Sequence, residues 1–175
     1  MYLFRDFRRH PAMGYMLVDG EAGMAVEIET NRKRFTRAEY YRMVEVGILK
    51  PDDRVELIRG EIVEMSPIGP RHRAFVENLT MLLAPRLVGR AIVSIQLPVA
   101  LADDTEPQPD VKVLRRRADV PYKEREAWGE DVVLVMEVSD TSLRYDRGTK
   151  LRLYAGAGIP EYWIEIGRAS CRERV

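Results

Sequence analysis

Glu106-Pro107-Gln108-Pro109-Asp110-Val111-Lys112-Val113, then Val132-Val133-Leu134-Val135-Met136-Glu137-Val138-Ser139-Asp140, then Tyr145-Asp146-Arg147-Gly148-Thr149-Lys150-Leu151, and last Gly158-Ile159-Pro160-Glu161-Tyr162-Trp163 decide how this chain folds. The run 132–138 is apolar at almost every position, which predicts a strand covered on both faces at the centre of a sheet. A helix is expected from about Tyr145 to Ala157, stopped by Gly156, Gly158 and Pro160. Tyr162-Trp163-Ile164 starts the next strand, so 132–138 and 161–166 should be parallel neighbours across a right-handed crossover. Asp110 opens the short run to Leu114, and Glu137 nearly closes the run before it reaches Ser139. If those strands pair antiparallel, the start of one lies beside the end of the other, and both carboxylates meet at one sheet edge. A carboxylate in so apolar a strand is costly unless something compensates it, and a divalent metal would do so.

Composition narrows the classes. The 175 residues suffice for one domain with a core. With 28 basic and 28 acidic residues the formal net charge is +0, which argues against a strongly basic nucleic-acid coat but not against local gripping of DNA. The only cysteine is Cys171, so neither an intrachain disulfide framework nor a cysteine-based zinc site is expected. No apolar run approaches the length of a membrane span, and no apolar signal core follows Arg5, Asp6, Arg8 and Arg9. A cytoplasmic setting without a membrane partner is the expectation.

Outward from the deciding stretch, residues 1–30 lack periodicity and read as a poorly ordered N-terminal segment, with Met24 as an alternative start. Thr36–Val46 reads as a helix with Thr36 at its N-cap and Glu39 completing a capping box. Arg54–Met65 reads as a hairpin turning at Arg59-Gly60, with Glu56 either a solvated strand residue or a third acidic group at the metal. A helix from about Arg71 to Leu83 should end before Pro85, with His72 near its start as a structural residue or a phosphate contact. A strand is expected over Ala91–Leu101, with Pro98 marking a bulge or edge. Arg115-Arg116-Arg117 reads as a solvated strand end or a phosphate-binding rim. The domain is expected to span 31–166, with no internal repeat or second domain. Residues 167–175 look like a non-native tail.

Magnesium takes one or two carboxylates together with phosphate oxygens and water. Asp110 and Glu137 supply that minimum, and the Val138 carbonyl is the expected third ligand; manganese is an expected substitute. Lys150, on the helix leaving the Glu137 strand, would hold the attacking water or stabilise the crowded phosphorane. Its bland alternative is an exposed lysine paired with Asp146 at i,i+4.

Glu56-Leu57-Ile58-Arg59-Gly60-Glu61-Ile62-Val63, Ser66-Pro67-Ile68-Gly69-Pro70-Arg71-His72, Glu106-Pro107-Gln108-Pro109-Asp110, Glu137-Val138-Ser139-Asp140 and the segments around Lys150 and Trp163 together resemble the Uma-two family of restriction-endonuclease-like proteins, within the PD-(D/E)xK nuclease superfamily. The resemblance covers about residues 34–166. It implies a mixed central β-sheet flanked by helices, an α/β (α+β) restriction-endonuclease-like core, and magnesium-dependent hydrolysis of DNA phosphodiester bonds. Carried over, Asp110 and Glu137 are metal ligands and Lys150 is the superfamily lysine. Ser139 stands where the superfamily pattern has lysine, which implies that the lysine has migrated to the helix. Glu56 and His72 match recurrent polar positions. A homodimer is expected, because cutting both strands often needs two sites. The alternative reading is a catalytically inactive nuclease fold used for DNA binding or assembly.

Overall fold

The computed structural model describes residues 32–117, 122 and 124–166, together with the backbone of short strands at 13–14, 28–29 and 171–174. The chain divides into two compact units, Met1–Lys33 and Arg34–Val175. In the first, β1 (Met13–Gly14) pairs antiparallel with β2 (Ile28–Glu29). The rest of the expectation for residues 1–30, like residues 167–170 of the tail, lies outside the described residues.

The second unit is a mixed α+β fold. Helix α1 (Arg37–Glu45) starts where its sequence says, with Thr36 and Glu39 exchanging the two bonds of a capping box. The hairpin β3 (Val55–Ile58) and β4 (Glu61–Glu64) follows, turning at Arg59 and Gly60, both at positive φ, 51° and 77°. Positive φ at both central residues is the two-residue turn that matches strand twist. A five-stranded sheet then forms in the order β5 (Ala91–Ile95), β6 (Val111–Arg115), β7 (Val132–Ser139), β8 (Tyr162–Ile166), β9 (Cys171–Arg174). All pairs are antiparallel except β7 with β8, which is parallel as the crossover requires.

β7 is central and covered on both faces. Met136 and Val138 pack with Val76 and Leu79 of helix α2 (Pro70–Leu87), while Val132 and Val135 pack with Tyr154, Tyr162 and Ile164 on the other side. Val132 and Val135 share a face despite their odd spacing because the β6–β7 register shifts at Val113/Leu114, where Val113 faces Leu134 and Leu114 faces Val132. By alternation from Val135, Glu137 lies on the Tyr154 face.

Two element boundaries correct the expectations. Helix α2 does not end before Pro85 but carries it and runs on to Leu87. Proline removes one main-chain donor and strains the carbonyl a turn behind it. Here Pro85 is exposed, Arg86 Nη1 donates to the Leu82 carbonyl at 2.6 Å, and Leu83 packs against the core formed by Val76, Leu79 and Met136. The strand expected over 91–101 is only β5, because Gln96 turns to φ 47° and its N–H is taken by the Asp110 carbonyl at 3.1 Å. Beyond it the chain is irregular, with Pro98 exposed and Ala100 making an isolated bridge to Trp128.

The crossover is not a plain helix. Helix α3 is α-helical over Leu143–Tyr145, π-helical over Asp146–Lys150 and α-helical again over Leu151–Gly156. It stops at Gly158, which adopts φ 72°. Among the described residues, no helix is long and apolar enough to cross a membrane.

Candidate active site

Asp110 is carried at the entry to β6 and Glu137 near the exit of β7, and the antiparallel pairing of Val111 with Met136 brings them together. The Asp110 N–H donates to Glu137 Oε2 at 3.3 Å, and the Val138 N–H donates to Asp110 Oδ2 at 2.8 Å. Both carboxylates are buried. They face one cleft of about 440 Å³, which Arg54, Gly69, His72, Thr141 and Lys150 also border.

Lys150 joins them from α3. Its Nζ donates to Glu137 Oε1 at 2.9 Å and lies 3.5 Å from Glu56 Oε2. The exposed i,i+4 pair with Asp146 is overturned: Lys150 is 6% exposed, and Asp146 instead accepts bonds from the hydroxyls of Ser139 and Ser142. Both residues lie in the π turn, and each finds its own buried partners. Ser139, at the strand position where the resemblance expects lysine, thereby anchors the helix that carries the lysine.

Glu56 is not a solvated strand residue. It is 3% exposed, because the main chain of loop 102–109 closes over β3. The Glu106 N–H donates to the Leu57 carbonyl at 2.7 Å, and the Gln108 N–H donates to Glu56 Oε2 at 3.1 Å. Arg37 fixes that loop from α1, donating to Glu106 and Glu126 while stacking 5.0 Å over Trp128. His72, in the first turn of α2, places Nε2 2.9 Å from Asp110 Oδ2. Its Nε2 is thus engaged with the aspartate, and the residue also borders the cleft. Of the three arginines that close β6 and follow it, Arg115 and Arg116 are exposed, and Arg117 bonds the buried Asp131 at 3.0 Å.

The electrostatics follow from this crowding. Four buried carboxylates, Glu56, Asp110, Glu137 and Asp146, surround one amine. Burial pushes the Glu137 carboxyl up to about 8, with Lys150 pulling it down and Asp110 and Asp146 pushing it up. Burial alone would lower the Lys150 amine, but Glu137 and Glu56 hold it above its ordinary value, so it stays cationic. The cluster therefore lacks positive charge. Asp110 Oδ1 accepts no hydrogen bond among the described residues, and Glu137 Oε2 accepts only the long one from Asp110. One carboxylate oxygen without a hydrogen bond among the described residues, and a second holding a single long one, suit a hard divalent cation in a charge-deficient site. The donor set stays sparse: among the described residues no group of three or more His, Cys, Asp and Glu side chains could hold a metal ion. The carbonyl of Val138 and substrate oxygens would have to complete it.

Sequence reasoning missed Tyr154, Tyr145 and Asp146. Tyr154 donates to Glu137 Oε1 at 2.8 Å, and Tyr145 donates to Glu56 Oε1 at 3.2 Å. The spacing Lys150-x-x-x-Tyr154, one helical turn, was the available signal for the first.

A family profile described as "Uma2: Putative restriction endonuclease" matches residues 37–170. Among solved structures, a crystal structure of "a putative nuclease belonging to DUF820" from Anabaena variabilis ATCC 29413 is similar with a TM-score of 0.59 at 16% identity, covering 75% of this chain and 74% of that one. At that identity the likeness bears on the fold alone. No curated protein matches the chain.

Proposed function

Since the chain belongs to the Uma2 family, we propose that it is a divalent-metal-dependent DNA endonuclease, working in the cytoplasm and hydrolysing phosphodiester bonds in the Asp110–Glu137–Lys150 cleft. The observation that supports this reading is the convergence of two buried carboxylates and one buried, charged amine at a single sheet edge.

Asp110 and Glu137 would hold Mg²⁺, or Mn²⁺ in its place, with the Val138 carbonyl as third ligand. Such a cation supplies Lewis acidity and neutralises phosphate charge. The remaining chemistry belongs to the chain. Water attacks phosphorus, one P–O bond forms, the P–O bond to the leaving sugar oxygen breaks, and the proton released by the water ends, through solvent, on that sugar oxygen. Lys150 donates to the charge that builds on the phosphoryl oxygens, in a water-poor site where such a bond is strong. Glu56 holds the amine in place from the hairpin. His72 keeps Asp110 in its rotamer. The N-terminus of α2, with Gly69 at the cleft and no side-chain cap, favours an anion nearby. A homodimer would offer one such cleft to each strand of a duplex.

Supercoiled plasmid incubated with Mg²⁺ tests the reading. The wild-type chain should nick it, and Asp110→Ala should do so more than about 100-fold more slowly. Equal nicking by both proteins, or nicking that survives EDTA, would refute it; DNA retention indifferent to both would favour a binding module.

A further inference from the structure

We propose that Tyr154 is a positioning residue for Glu137, fixing which of its oxygens is offered to a cation; this rests on the reading of Glu137 as a metal ligand. The terminal torsion of a glutamate is broad and roughly two-fold, so a carboxylate on a strand does not by itself present one oxygen. Here two donors meet on the same atom. Tyr154 O–H and Lys150 Nζ both bond Glu137 Oε1, at 2.8 and 2.9 Å, and Oε2 is left toward Asp110. The donors sit one turn apart on α3, at the end of the π turn and just beyond it, so a single element delivers both.

They are not equivalent. Lys150 also lies 3.5 Å from Glu56, and its flexible stem can serve either carboxylate. Tyr154 is 0% exposed, and its ring is held against Tyr162 with centroids 5.1 Å apart. Its hydroxyl can therefore reach only a narrow region, and Glu137 Oε1 occupies it. Hydrogen-bonded partners of ligating carboxylates typically matter by about 10- to 100-fold in metal affinity or activity.

The bland account is that a buried tyrosine merely needs an acceptor for its hydroxyl. Tyr162 supplies the control. It too is buried, and it donates to the Asp146 carbonyl at 3.2 Å rather than to Glu137. Mn²⁺ binding to the full chain, followed by electron paramagnetic resonance without DNA, separates the accounts. Tyr154→Phe should weaken Mn²⁺ about 10- to 100-fold and lower kcat more than it changes KM for DNA, with circular dichroism and melting showing a folded protein. Tyr162→Phe should bind Mn²⁺ like the wild type. The proposal is overturned if Tyr154→Phe keeps wild-type affinity, or if Tyr162→Phe weakens binding equally. A wild-type chain that binds no Mn²⁺ overturns the function proposed above, and this inference falls with it.

Discussion

Lys150 shows how one side chain depends on its surroundings. Its amine is buried and sits between Glu137 and Glu56, so it neutralises groups that water does not reach. Removing one partner from a buried ion pair costs about 3–5 kcal/mol, because the remaining charge stays buried and unpaired. Lys150→Met should therefore lower the urea midpoint as well as slow cleavage by more than about 100-fold. It should keep Mn²⁺ affinity, since Tyr154 still holds Glu137 Oε1 and Lys150 is not itself a ligand in this reading. A variant that loses cleavage and Mn²⁺ binding together would place Lys150 among the binding groups instead. The sequence offered two readings of this lysine. What chose between them was packing, which buries the amine against Glu137 and Glu56 and leaves Asp146 to the hydroxyls of Ser139 and Ser142.

At the scale of elements, local chemistry was readable wherever it is self-contained. The capping box of α1 and the two-residue turn of the hairpin need only residues a few positions apart. The turn also yields a prediction. Arg59 adopts φ 51° without being glycine, and its side chain is exposed. Asparagine tolerates this conformation better and precedes glycine in the favoured turns of this kind. Arg59→Asn should raise stability by about 0.5–1 kcal/mol, read as a higher urea midpoint with unchanged slope; a lower midpoint would mean that the arginine makes contacts of its own. Boundaries set by distant partners were not readable. The end of β5 depends on Gln96 N–H finding the Asp110 carbonyl, and α2 persists past Pro85 with Leu83 packed against the core.

At the scale of the molecule, the sheet buries a charge that the proposed chemistry does not use. Lys112 is 1% exposed, and its Nζ donates to the Leu97 carbonyl at 2.6 Å. Burial lowers its pKa to about 8. Its folded value lies below its unfolded one, so between about pH 8 and 10.5 the unfolded chain binds more protons and stability rises with pH. Below that window the folded protein carries the full cost of a buried ammonium. Lys112→Met should stabilise the fold by about 1–4 kcal/mol at neutral pH, and the gain should shrink as pH climbs through the window. Equal gains at pH 7 and pH 10 in chemical denaturation would show that the amine is solvated in the folded state.

The order of elements, the central place of β7, the parallel step to β8 and the meeting of Asp110 with Glu137 were all fixed by the linear pattern. Each follows from apolar periodicity and from the short reach of loops and crossovers. Which polar groups ended up dry was decided only when the pieces packed. Glu56 is buried by loop 102–109, which Arg37 pins from a helix nearly seventy positions earlier in the chain. Tyr154 meets Glu137 because α3 packs on the face of β7 that carries the carboxylate. Burial and hydrogen-bond partnership are properties of neighbours in space, and a one-dimensional pattern records a residue's neighbours along the chain alone.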